Sequence, residues 1–115
     1  MVIHNIEVGS LDTLDPDVLE RVENAAENVI AKVNASANCK KGSESIRMQC
    51  EAVNEYLDTL FGKGTADKIF GRKLNLKTAL EVFSETTDAI NAESKSQETE
   101  IKKIVSKYTP NRVKR

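Results

Sequence analysis

The apolar positions of this chain fall into three stripes separated by turn formers. Leu19, Val22, Ala26, Val29 and Val33 recur at steps of three and four, which puts them on one face and predicts an amphipathic helix over 16–37. Asp15-Pro16 supplies a cap followed by proline at the first helical position, where its missing amide hydrogen costs nothing. The ANCKKGSES stretch breaks the pattern, and Ser43 offers a cap for a second helix over 44–61, where Ile46, Cys50, Val53, Leu57 and Leu60 repeat the stripe. Leu74-Asn75 gives an apolar residue and a cap ahead of a third stripe, Leu76, Leu80, Phe83 and Ile90, so a third helix is expected from about residue 76. Its register continues formally through Ser94 and Gln97 to Ile101, Ile104 and Tyr108, but the middle positions are polar. The NAESKSQETE segment therefore reads as an exposed helical arm or as a hinge between two helices.

Between the second and third stripes lies LFGKGTADKIFG, two Phe-Gly pairs around a third glycine. Gly62 reads as the stop of the second helix, because glycine takes the left-handed conformation that closes one. Thr65 reads as the cap of a short turn of helix over 66–70, ended by Gly71, with Phe61, Ile69 and Phe70 facing inward. At the amino end VIHNIEV suits a short strand or an extended arm. A lone strand must pair with a partner chain or a second copy, or lie as an apolar strap across the helices. Thr109 before Pro110 should end helicity, leaving 109–115 as a disordered basic tail. The expectation is an all-α fold: one helical domain over 1–108, built from three main helices and a short connecting one. Its predicted core is Leu19, Val22, Val29, Cys50, Val53, Leu57, Phe61, Leu80 and Phe83.

Composition agrees with this reading. A chain of 115 residues with 39% hydrophobic content fits one modest core, and the aromatic share of 4% leaves that core to aliphatic residues. The two prolines lie near the ends. Charge is uneven: residues 101–115 carry six bases and no acid, against a net −7 over residues 1–100. Such a tail can contact nucleic acid or an acidic partner, or simply complement the negative end of a helix through Lys102, Lys103 and Lys107.

Candidate chemistry is sparse. Cys39 and Cys50 lack zinc-type spacing, and Cys50 on an apolar stripe reads as a small core residue, so no metal or cofactor is expected. His4 is the single histidine and sits in the strand or arm, a poor start for nucleophilic catalysis; GKGT places its lysine between the glycines and is not a phosphate loop. No catalytic residues and no enzyme are expected. Neither a signal peptide nor a membrane-length apolar run is present, which predicts a soluble, cytosolic chain. A helix-turn-helix DNA binder, with a recognition helix exposing Lys77, Thr78, Glu81 and Glu85, is the alternative. Its acids and the acidic body argue against phosphate contacts, so nucleic acid is an unlikely partner.

At LFGKGTADKIFGRKLNLKTALEVF and again at KYTPNRVKR, together with QCEAVNEYLDTLFG before the central turn, the chain resembles a family of small helical proteins from tailed phages and prophages of Gram-positive bacteria that are similar to tail assembly chaperones. The resemblance spans nearly the whole chain. It implies a protein that binds the tape measure protein before tail tube polymerisation, in the host bacterial cytoplasm, and that is absent from the mature virion. Partner contacts are then expected at Phe61, Ile69 and Phe70 and at Ile101, Ile104 and Tyr108. Self-association is expected too, because the last apolar patch lies beyond a compact core and the strand at 2–8 has no partner of its own.

Overall fold

The computed structural model describes residues 1–108; the expected basic tail lies outside the described residues. The fold is all-α. A two-stranded hairpin, β1 (Val2–Ile3) and β2 (Ile6–Glu7), precedes α1 (Pro16–Ser36), α2 (Gly42–Phe61), the short α3 (Thr65–Phe70) and α4 (Leu76–Tyr108). α2 is the hub, with α1, α3 and α4 each packed on it. It buries Cys50, Ala52, Val53, Tyr56, Leu57 and Leu60.

The helix ends follow local chemistry. Asp15 Oδ1 accepts from the Asp17 amide, and Asn75 Oδ1 from the Thr78 amide, so α1 and α4 start where their caps predict. Gly62 closes α2 with φ 109°, a conformation that carries no Cβ penalty in glycine. Two expected caps are corrected. α2 begins at Gly42, ahead of Ser43, with Lys41 in the capping position. Thr65 is already inside α3 and its hydroxyl donates to Gly62 O, while Asp58, reaching across from α2, accepts from the Ala66 amide. A side chain remote in sequence thus satisfies an orphan donor that the local residues leave open.

The amino end pairs with itself. β1 and β2 are antiparallel, Val2 opposite Glu7 and Ile3 opposite Ile6, around a two-residue turn in which His4 and Asn5 have φ 52° and 67°. Two consecutive positive φ values match the right-handed twist of a tight hairpin. Ile3, fully buried, seats the hairpin against α4. The single strand or arm expected over 2–8 is corrected: the segment folds into two short strands that pair with each other and dock on α4.

α4 is one continuous helix of 33 residues, about 50 Å long, so there is no hinge within it, and the segment expected as an exposed arm is partly covered by the amino-terminal loop. The buried face of α4 is Ala79, Val82, Thr86 and Ile90; of the expected stripe Ile90 is buried, Leu76 and Phe83 pack half-buried against the core, and Leu80 does not. Leu80 is 39% exposed, and Leu19 on α1 likewise, so both leave the predicted core. Val29, Cys50, Val53 and Leu57 are buried as expected, while Val22, Phe61 and Phe83 pack half-buried against them. The helix can turn Ala79 and Thr86 inward because both are small and Thr86 Oγ1 donates to Val82 O, which leaves no unpaired hydroxyl in the core.

The polar middle of α4 serves the amino-terminal segment. Glu85 Oε2 accepts from the His4 amide at 3.0 Å and Glu93 Oε2 from the Leu11 amide at 3.3 Å. Gln97 Oε1 accepts from the Thr13 amide and hydroxyl, and Gln97 Nε2 donates to Leu11 O. Replacing Gln97 with alanine strands these half-buried loop groups. We expect a loss of about 1–3 kcal/mol in urea unfolding, with faster amide exchange at Thr13; unchanged exchange there would show that the loop is held by Leu11 alone.

Candidate interaction surface

α1 and α4 both lie on α2 but scarcely touch each other. The gap between them is an open groove of about 250 Å³. Leu19, Val22 and Ala26 of α1 form one wall, Thr87, Ile90 and Ser94 of α4 the other, with Tyr56 of α2 between them and Thr13 from the amino-terminal loop also on the lining. One turn beyond Ala26, the side of α1 continues with Ile30, more than half exposed. The groove has room for a few aliphatic side chains from one face of a helix, not for a whole helix.

Tyr56 is held firmly. Its ring meets Phe83 edge-to-face, centroids 4.9 Å apart at 70°, a favoured geometry for aromatic pairs. Burial pushes the phenol pKa up, opposed by a hydrogen bond with Thr87, so at neutral pH it remains a neutral hydroxyl among apolar neighbours.

The residues expected at a partner site separate into two groups. Ile69 is buried, and Phe61 and Phe70 pack half-buried against the same cluster, so the turn contributes to the core. Ile101 and Ile104 are 41% and 54% exposed, and Ile101 lies about 16 Å along α4 beyond Ile90, the last buried apolar residue of that helix. Tyr108 is the last residue of α4. Leu19, expected in the core, lines this groove instead. The signal that could have found the groove is an apolar stripe on α1 facing a stretch of α4 whose Thr87, Asn91 and Ser94 are too polar to close over it.

Other chemistry is thin. Among the described residues no cluster of three or more histidine, cysteine or acidic side chains is placed to hold a metal. Cys50 is buried and its thiol pKa is raised by burial and by Glu51. His4 borders a shallow hollow with Lys77, Leu80, Glu81, Ser84, Glu85 and Asp88. This is the face that a recognition helix would offer to DNA, and three of its side chains are acids, with Glu85 already engaged by the hairpin. No helix among the described residues is long and apolar enough to cross a membrane.

Comparison with known proteins returns no matching curated protein and no matching solved structure. Residues 4–115 match the model of a family of unknown function, DUF6673, and the chain belongs to that family.

Proposed function

We propose that this protein is a chaperone-like helix binder that takes apolar side chains from one face of an elongated helical partner into the α1–α4 groove. The partner, following the sequence resemblance, is the tape measure protein of a tailed phage, held in the host bacterial cytoplasm before the tail tube forms. The observation that carries this reading is the open groove itself: two helices share a support without closing on each other, and α1 lines the gap with Leu19, Val22 and Ala26, Leu19 being partly exposed. Amphipathic helices commonly dock in such grooves through anchors at helical spacing.

A chaperone of this kind must let go. A groove of this size gives each contact modest affinity, and a long partner with many apolar turns gains hold through repetition. Binding is the activity here, and catalysis has no part in it.

Co-expression with the tape measure protein encoded beside it tests the proposal. We expect the tape measure to be soluble and to co-elute with this protein in gel filtration. Leu19→Asp should abolish co-elution while leaving the helical circular dichroism unchanged, because the side chain is already partly in water. A tape measure equally soluble without the protein, with no complex in gel filtration, overturns the proposal.

A further inference from the structure

The terminal turns of α4 carry an independent message. Residues 98–107 are exposed throughout, yet Gln97, Ile101 and Ile104 recur at steps of four and three, and Tyr108 takes the next position of that register. This is the seam of a two-stranded coiled coil with no partner helix along it. Charge along the same turns is segregated: Glu98 and Glu100 precede the seam centre, and Lys102, Lys103 and Lys107 follow it.

We propose that this segment pairs antiparallel with the same segment of a second copy, giving a two-fold dimer joined end to end through α4. In that register Ile101 of each copy layers against Ile104 of the other. The overlap is centred on residues 98–107, the exposed length of helix beyond Gln97, whose side chain the amino-terminal loop engages. Glu100 and Lys107 occupy the positions that flank the seam on the same side, so each Glu100 meets the second copy's Lys107 and the contact occurs twice. A parallel pair would instead set acidic turns beside acidic turns and basic beside basic, which electrostatics disfavours. The charge pattern thus selects both the occupant and its direction.

The interface is about three turns long, short of the area typical of permanent dimers. It is therefore reversible and concentration-dependent. Its consequence goes beyond the groove reading: the dimer carries two grooves on one particle. The two proposals fail separately, since dimerisation is measured without any tape measure protein.

Sedimentation equilibrium of the full chain over a concentration series, at low salt, tests the inference. The parent protein should show a monomer–dimer equilibrium, and Ile104→Asp should be monomeric with unchanged circular dichroism. Glu100→Lys and Lys107→Glu should each raise the dissociation constant about tenfold, close to the energy of one charge pair counted twice. The doubly exchanged chain should return to near the parent value, as should an equimolar mixture of the two single variants. A strict monomer at millimolar concentration, or a dimer indifferent to both charge reversals, overturns the proposal.

Discussion

Leu57→Ala is expected to destabilise the domain by about 2–5 kcal/mol, the range for deleting a fully buried aliphatic side chain and leaving a cavity behind. Leu57 has no exposure and sits on α2, the helix that α1, α3 and α4 all use as their support. A position with no exposure on the helix that supports the other three leaves little room for collapse into the vacated space, which favours the upper part of that range. Denaturant unfolding should show a lower midpoint with little change in slope, and the melting temperature should fall by at least about 10 °C for a domain of this size. A loss below about 1 kcal/mol would mean that the three helices relax toward one another, and α2 would not be the rigid centre described above.

Tyr56→Ala should cost about 3–5 kcal/mol, because it removes a buried ring and its edge-to-face partner contact with Phe83. Tyr56→Phe keeps the ring and removes only the hydroxyl, so it should cost no more than about 1 kcal/mol. The two substitutions also differ in pH dependence. The phenol pKa in the folded chain is raised above its ordinary value of 10.0, so the folded state favours the protonated form. The associated stability is fully present below pH 10 and is lost as the pH rises toward the folded value. The parent protein should thus lose stability above about pH 10, and Tyr56→Phe should lose less over the same interval. Identical alkaline profiles would place the phenol in water rather than among the groove residues.

The first two helices were legible because each carries one dominant apolar face, and Val29, Cys50, Val53 and Leu57 could be ordered by spacing alone. α4 was less so. Counting large side chains selects Leu80, but the helix turns Ala79 and Thr86 inward, and neither a methyl group nor a hydroxyl weighs heavily in an apolar pattern. Leu19 shows the other limit. Its stripe is real, yet whether a stripe is covered depends on where the other helices go, and α4 stands off from α1. Glu85, Glu93 and Gln97 read as solvated polar residues because their partners, His4, Leu11 and Thr13, are more than eighty positions away. The exposed end of α4 was visible in the sequence, since an apolar register that resumes after a polar interval has left the core behind.

The docking of residues 1–14 on α4 also sets an order of events during synthesis. α1 and α2 are neighbours in the chain and can close on each other as soon as both are made. The Thr13 amide cannot meet Gln97 until 84 further positions have been translated, and Ile3 waits for the same helix. At roughly 5–20 residues per second, several seconds pass in which an apolar leading segment has no seat. Closing so long a loop also carries an entropic cost that only the finished contacts offset. Residues 1–14 are therefore made well before α4 and find their place only after it, and for that interval the nascent chain is itself a candidate for chaperone protection.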